Sequence, residues 1–439
     1  MKKARGFIGL VFDAVQETTH LVERTHDAVV DRTTRRFAPV EPARSTAAVV
    51  TGAQLAISGG VFESIRLVNG WVRLGTDAAL DVVEQVAGDA WESEASLATP
   101  VSSDAAGSPS WVLDFAEASL NGLWGDYLSR RESALDLGMG FRHEGRLLPT
   151  TEEAFVRALD APTPKVCVFV HGLASTEWLW SLRAEEHYGS PQVTFGTRLH
   201  DDLGMTPLYV RYNTGRHVSQ NGRELSALLS ELVHAYPVPI EEISLVGHSM
   251  GGLVARSAAH YGKAHDAPWV ERLRNVVCIG SPHLGAPLEK AVNLLTAVLR
   301  RVDAAGAQVP AEVLDARSSG IKDLRHGYIV DEEWLGRDPD AVFADARRNV
   351  PLVDGVGYYF LGATLSPDPD HPLGVLLGDW LVRLPSALGH DPEPARRVPF
   401  ESAAVFRGMN HVHLANHPDV YEALRGWLGR SLGEEATIR

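Results

Sequence analysis

The sequence predicts an α/β fold in which a mostly parallel sheet carries helices on both faces. Short runs rich in β-branched residues recur after residue 160, and most are apolar on both sides, which is typical of buried parallel strands. Helical segments at 222–236 and 251–261 lie between them. Strands that alternate with helices favour a parallel sheet. The predicted strands lie at 166–170, 206–212, 243–246, 276–279, 357–363 and 403–406.

The composition is that of a globular protein and argues against one class of partner. The chain has 439 residues, of which 45% are hydrophobic and 22% charged, and its formal net charge is −15. Binding to nucleic acid phosphates depends on clustered Lys and Arg, so an excess of acidic residues disfavours it. Cys167 and Cys278 lie in apolar runs and are expected to be core thiols in a reducing compartment.

Three regions are predicted along the chain. Residues 1–100 carry apolar residues at helical spacings and are predicted to form an N-terminal helical module. Residues 101–160 are predicted to be a linker and a packing segment. Residues 161–431 are predicted to form the α/β domain, with an insertion of amphipathic helical character at about 287–349.

The N-terminal region also indicates the cellular compartment of the protein. Asp13 and Glu17 interrupt the first apolar stretch before a secretory h-region develops, so we expect a cytoplasmic protein. The most apolar later segment, 47–62, is shorter than the roughly 20 residues needed to span a bilayer, and no transmembrane helix is expected. The amphipathic helices predicted for residues 1–100 suit peripheral association with a lipid surface, or self-association.

The segment 242–256 predicts a nucleophilic serine. It reads as a strand, a sharp turn at Gly247-His248-Ser249-Met250-Gly251, and a helix. Such a turn presents a serine side chain on strained backbone, and the small residues on either side let the strand and the helix approach each other. The helix directs its positive end at the turn, so the Met250 amide is predicted to stabilise an oxyanion.

A second motif lies about eighty residues upstream. The apolar run 166–170 leads into His171-Gly172-Leu173. A loop leaving this strand would face the serine, and the Leu173 amide is predicted to be the second oxyanion donor. The alternative is a simple turn that ends the strand.

A serine hydroxyl is a weak nucleophile, so a histidine base and an acid should follow it in the chain. His411 comes first on the loop after the last predicted strand and is the predicted base, with His413 as the second candidate. The acid is harder to choose, because four aspartates lie near the strand at 357–363. We favour Asp379, whose glycine and apolar neighbours suit a buried carboxylate. The other candidates are Asp354, Asp368 and Asp370.

Taken together, these motifs resemble the α/β-hydrolase superfamily, specifically bacterial lipase-like members and inositol-deacylase-like (PGAP1-like) hydrolases. The resemblance extends over about residues 165–428. It implies an α/β-hydrolase fold in which the segment Gly378-Asp379-Trp380-Leu381-Val382 carries the acid, and in which the insertion at 287–349 covers the site as a cap or lid. The matching pieces also include 170–173, 245–252, 279–287 and 408–411.

The sequence therefore predicts a serine esterase or lipase that acts through an acyl-enzyme on small-molecule or lipid esters. An acyl-enzyme can also be resolved by other nucleophiles, so acyl transfer or thioester hydrolysis remains an alternative. Another alternative is a lipid-surface or protein-binding factor with an inactive hydrolase domain. No cofactor is required, and no metal-binding motif stands out.

Overall fold

The computed structural model describes residues 111–133, 135–286, 318–337, 345–366, 378–379 and 381–430. The predicted helical module at 1–100 lies outside these ranges, as does most of the predicted insertion at 287–349.

An eight-stranded sheet forms the centre of the protein, with the strand order β2-β1-β4-β3-β5-β6-β7-β8. β1 is antiparallel to both β2 and β4, and the pairs from β4 through β8 are parallel. The strands are β1 Met139–His143, β2 Arg146–Leu148, β3 Lys165–Val170, β4 Met205–Tyr212, β5 Glu242–His248, β6 Leu273–Ile279, β7 Gly357–Thr364 and β8 Ser402–Arg407.

Helices cover both faces of this sheet. The α-helices are α1 Trp111–Arg130, α2 Glu152–Ala158, α3 Ala184–Tyr188, α4 Phe195–Leu203, α5 Val218–Ala235, α6 Met250–Ala264, α7 Ser319–Leu324, α8 Asp331–Trp334, α9 Leu384–Ala387 and α10 Pro418–Leu428. Apolar residues of α5 and α6 pack on one face and those of α4 and α10 on the other.

The central strand β3 shows why both faces are covered. Its side chains alternate, so that Val168 joins the α5–α6 core whereas Cys167 and Phe169 join the α4–α10 core. Because both sets are fully buried, each face needs its own layer of helices.

The predicted fold class is confirmed. All of the predicted strands are present, and the predicted helical segments at 222–236 and 251–261 correspond to α5 and α6. Cys167 and Cys278 are buried free thiols, as expected of core residues. Within the described ranges, no helix is both long and apolar enough to cross a membrane.

The segment 101–160 contributes more to the fold than the sequence suggested. Its described part supplies α1, α2 and the hairpin β1–β2, which extends the sheet through the pairing of Met139 with Tyr212. Arg142 and His143 are polar residues in β1, which lies beside the edge strand β2, and they obscure the apolar pattern of a strand. The predicted boundary at residue 161 therefore runs through the sheet, although the division into domains stays a prediction.

The crossing of α5 and α6 yields a first prediction. A Cβ on Gly222 would lie 2.2 Å from Oγ and 2.5 Å from Cβ of Ser257. We expect Gly222→Ala to lower the free energy of unfolding by about 1–3 kcal/mol, because the two helices have to separate. Urea denaturation followed by circular dichroism measures this change.

Gly426→Ala is the matched control. Gly426 lies in α10, and nothing lies within 4 Å of a Cβ at that position. Alanine should therefore raise the stability by about 0.5–1 kcal/mol through helix propensity. Equal effects of the two substitutions would contradict the close helix crossing.

Candidate active site

A strained turn connects β5 to α6. β5 ends at His248 and α6 begins at Met250, so Ser249 alone forms the connection. Ser249 has φ 54° and ψ −122°, a conformation that non-glycine residues rarely adopt and that surrounding contacts have to hold. Its N–H donates to the carbonyl oxygen of Ile279, at the end of β6, over 2.8 Å. The strand, turn and helix predicted around Ser249 are therefore present.

The glycines on either side of Ser249 allow this turn. A Cβ on Gly247 would lie 2.3 Å from the Gly252 nitrogen, and a Cβ on Gly251 would lie 2.1 Å from the carbonyl oxygen of Val170. Both contacts involve backbone atoms, which cannot move aside as a flexible side chain can. The turn therefore fits against the end of β3 only with glycine at these places.

The loop after β3 lies beside the serine. A Cβ on Gly172 would lie 3.0 Å from Cβ of Ser249, and Leu173 follows as a partly buried residue. Met250 is buried at the first position of α6, where backbone N–H groups have no partner within the helix. The two predicted oxyanion donors thus lie on the segments next to Ser249, and their role stays a prediction.

Asp379 and His411 form a buried pair. Nδ1 of His411 donates to Oδ2 of Asp379 over 2.7 Å, and Asp379 is 0% and His411 4% exposed. The other carboxylate oxygen of Asp379 accepts from the amides of Leu381 and Val382 over 3.1 and 2.8 Å. A proton fixed on Nδ1 leaves Nε2 of a neutral imidazole as the basic nitrogen.

Further contacts hold His411 near the Ser249 turn. Nε2 of His248, the residue before Ser249, donates to the carbonyl oxygen of His411 over 2.9 Å. A Cβ on Gly280, which follows β6, would lie 3.2 Å from Nδ1 of His411. The loops that leave β5, β6 and β8 therefore meet at the carboxyl edge of the parallel sheet, where α/β proteins commonly place their sites.

The alternative residues lie elsewhere. Nε2 of His413 is 2.6 Å from Nη1 of Arg183, not beside Asp379. Asp354 is exposed and precedes β7, at the opposite edge of the sheet from Ser249. Asp368 and Asp370 lie outside the described residues.

A buried ion-pair network supports the loop after β3. Arg211 in β4 donates to both carboxylate oxygens of Glu177, over 2.8 and 2.5 Å, and to Asp114 in α1 over 2.7 Å. Nε1 of Trp178 donates to the other oxygen of Asp114. Burial opposes the charge of Arg211, but these hydrogen bonds outweigh it and raise the pKa of Arg211 above its ordinary value. The network connects α1 and β4 to Glu177 and Trp178, which lie just after the loop that follows β3.

The sequence analysis did not assign a role to Arg211. An arginine inside an otherwise apolar strand was the available signal, because a buried guanidinium needs carboxylate partners. Those partners are 34 and 97 residues away in the chain, so local patterns could not identify them. Among the described residues, no group of His, Cys, Asp and Glu could hold a metal ion.

The part of the site around Ser249 lies in a segment that matches a known family. Residues 164–339 match the family described as PGAP1-like alpha/beta domain, and no curated protein sequence matches the chain. The predicted resemblance to the α/β-hydrolase superfamily is confirmed by this match together with the fold.

The chain is also similar to several solved structures. Over 64% of its length it matches a Bacillus licheniformis lipase in propeptide form, with 18% identity and a TM-score of 0.40. Over 62% it matches the Staphylococcus hyicus lipase, with 13% identity and a TM-score of 0.38. The matched regions cover 54% and 97% of those two chains, respectively, so this chain spans about half the length of the first.

Two buried histidines near the site predict an acid-sensitive fold. Burial lowers the pKa of His171 to about 3, and burial together with the nearby His411 lowers that of His248 to about 3. Unfolded histidine titrates near pH 6.5. Between about pH 6.5 and pH 3 the unfolded chain therefore binds protons that the folded chain does not, and stability falls as the pH falls.

We expect His248→Phe to reduce the slope of unfolding free energy against pH by about 1.4 kcal/mol per pH unit within this window. Phenylalanine keeps a ring beside Trp180, which His248 contacts edge-on. His234→Gln is the control, because His234 is exposed, and its slope should match that of the wild type. Urea titrations from pH 7 to pH 4 provide the slopes, and an unchanged slope for His248→Phe would refute the account.

Proposed function

We propose that this protein is a serine carboxylester hydrolase that uses Ser249 as nucleophile, His411 as base and Asp379 as the acid that orients the base. The observation that carries the proposal is the buried 2.7 Å pair of Asp379 and His411 at the sheet edge that also carries the strained Ser249 turn. A histidine with its Nδ1 proton held by a carboxylate can accept a proton at Nε2.

The first half of the reaction forms an acyl-enzyme. His411 takes the Ser249 proton while the serine oxygen attacks the carbonyl carbon of the ester. The amides of Leu173 and Met250 donate to the oxyanion that develops. When the carbon–oxygen bond to the alcohol breaks, His411 gives its proton to the departing alcohol.

The second half releases the acid. His411 takes a proton from water as the water oxygen attacks the acyl carbon, and the Ser249 oxygen leaves with that proton. Asp379 keeps the imidazole in one tautomer and stabilises its charged form. The cycle consumes one ester and one water and returns the enzyme unchanged.

The substrate class is the finer part of the proposal. The resemblance to lipase-like hydrolases and the apolar positions of the predicted cap at 287–349 favour lipidic or acyl esters, because a cap shields an acyl chain from water. A series of p-nitrophenyl esters from acetate to palmitate tests this. We expect kcat/KM to rise from the shortest acyl chain to medium chains.

The nucleophile gives the most direct functional prediction. We expect Ser249→Ala to lower kcat for p-nitrophenyl butyrate and octanoate by about 10⁴-fold or more, since the attacking oxygen is lost. The same substitution should abolish labelling by a fluorophosphonate probe.

Ser230→Ala is the control for this experiment. Ser230 lies in α5 and donates to the carbonyl oxygen of Ser226, away from the carboxyl edge of the sheet, so its loss should leave kcat unchanged. Ester hydrolysis that survives Ser249→Ala in the purified protein would rule out the proposed nucleophile.

The acid is tested by Asp379→Asn. Asparagine fills the same space but does not stabilise the charged imidazole, so we expect kcat to fall by about 10³–10⁴-fold while the fold is retained. Asp354→Asn should leave kcat unchanged. If Asp379→Asn kept full activity while Asp368→Asn or Asp370→Asn lost it, the acid would be one of the latter residues.

Product analysis tests the fate of the acyl-enzyme. We propose that water resolves it, so that added methanol at low concentration leaves free acid as the main product. A product dominated by the methyl ester under these conditions would favour acyl transfer with the same three residues.

A further inference from the structure

The loop after β3 contains a strained residue directly after the predicted oxyanion donor. Ala174 follows Leu173 and has φ 51°, in the left-handed region that residues other than glycine rarely adopt. Such a conformation persists only where the surrounding groups hold it. The contacts of Ala174 therefore determine the path of the chain beside Ser249.

Thr214 supplies one of these contacts. The backbone N–H of Ala174 donates to Oγ1 of Thr214 over 3.1 Å. Thr214 follows β4 and is only 1% exposed. An amide that is shielded from water needs an acceptor. Oγ1 of Thr214 therefore favours the orientation of the Leu173–Ala174 peptide in which this bond forms.

The preceding peptide is held by a different residue. Nδ1 of His171 donates to the carbonyl oxygen of Gly172 over 2.9 Å. That carbonyl and the N–H of Leu173 belong to one planar peptide unit, in which they point in opposite directions. His171 thus orients the peptide that carries the Leu173 amide, and Thr214 orients the peptide that follows it.

The turn that carries Thr214 is itself fixed against α1. Nδ2 of Asn213 donates to the carbonyl oxygen of Gly125 over 2.9 Å, and Oδ1 of Asn213 accepts from the Gly215 amide over 3.0 Å. A Cβ on Gly215 would lie 2.1 Å from the carbonyl oxygen of Asn121, so the backbone of the turn touches the helix. The Thr214 hydroxyl is therefore presented by a rigid support.

Helix α1 also contacts Ala174 directly. A Cβ on Gly122, in α1, would lie 2.7 Å from Cβ of Ala174, so glycine is needed for this close approach. Two contacts therefore hold Ala174, the hydrogen bond to Thr214 and the packing on α1. Neither contact involves Ser249 itself.

We propose that Thr214 is a positioning residue for ester hydrolysis, which keeps the Leu173 amide directed at the developing oxyanion by holding the Ala174 amide. This role rests on the proposed function. An oxyanion donor acts only where its N–H reaches the developing charge, and a displacement of about 1 Å can cost about 10²-fold in rate. Because the bond is stronger in the transition state than in the ground state, its loss lowers kcat and leaves KM nearly unchanged.

Thr214→Val tests this role, because valine keeps the shape of the side chain and lacks the acceptor oxygen. We expect kcat for p-nitrophenyl butyrate to fall by about 10–100-fold while KM stays within about twofold of the wild type. Titration with a fluorophosphonate counts the active sites, so that kcat refers to folded protein. Thr214→Ser keeps the oxygen and should restore kcat to within about threefold of the wild type.

Thr206→Val is the matched control. Thr206 lies in β4, is 3% exposed, and accepts from the Thr163 amide through Oγ1 over 2.9 Å. The same kind of bond is therefore lost at the opposite edge of the sheet, and kcat should not change. Wild-type kcat in Thr214→Val, a raised KM alone, or no restoration by Thr214→Ser would overturn the role of Thr214.

If Thr214→Val does not fold, Gly122→Ala keeps the proposal testable. Its new Cβ displaces Ala174, so we expect kcat per active site to fall about tenfold at similar KM. Gly222→Ala is the control, because its Cβ also contacts a neighbouring helix closely, at Ser257, but away from the loop after β3. Equal kcat in these two variants would overturn the proposal.

Ser249→Ala separates this role from the proposed function. Ester hydrolysis that survives Ser249→Ala would overturn both. If Ser249→Ala is inactive while Thr214→Val keeps the kcat of the wild type, the proposed function stands and the role of Thr214 is wrong. We expect Ser249→Ala to be inactive and Thr214→Val to keep a small, measurable kcat.

Discussion

The site depends on one contact, in which the Ser249 turn packs against the end of β3. A Cβ on Gly251 would lie 2.1 Å from the carbonyl oxygen of Val170, so the backbone of the turn touches the strand directly. This contact holds Ser249 in a conformation that its side chain disfavours. It also brings Gly172 beside Ser249 and so fixes the position of the loop after β3 relative to Ser249.

The sheet order then determines what can reach the serine. β5 lies between β3 and β6, and β7 and β8 follow β6 in parallel, so every loop at their carboxyl ends opens toward the same edge. His411 on the last of these loops is joined to the turn through His248 and to the preceding loop through Asp379. Separate hydrogen bonds from Leu381 and Val382 fix the carboxylate. The pair is therefore held on rigid elements, as the orientation of the proposed base requires.

Much of this arrangement could be predicted because its signals are local. Runs such as 166–170 are apolar on both faces, and glycine on either side of Ser249 identifies a tight turn. The hairpin β1–β2 could not be predicted in this way, because polar residues such as Arg142 interrupt the apolar pattern of its strands. Local patterns did not decide whether Asp354 or Asp379 is the acid. The folded chain distinguishes the two, because Asp354 lies at the opposite edge of the sheet from Ser249. The partners of Arg211 are likewise determined by tertiary packing.

The most direct test of the proposed chemistry is a crystal structure of the protein after reaction with an alkyl phosphonate ester. The account predicts phosphorus bonded to Oγ of Ser249, the phosphoryl oxygen accepting from the amides of Leu173 and Met250, and Nε2 of His411 facing the serine oxygen. An adduct on another residue, or a Ser249 adduct whose phosphoryl oxygen points away from both amides, would contradict it.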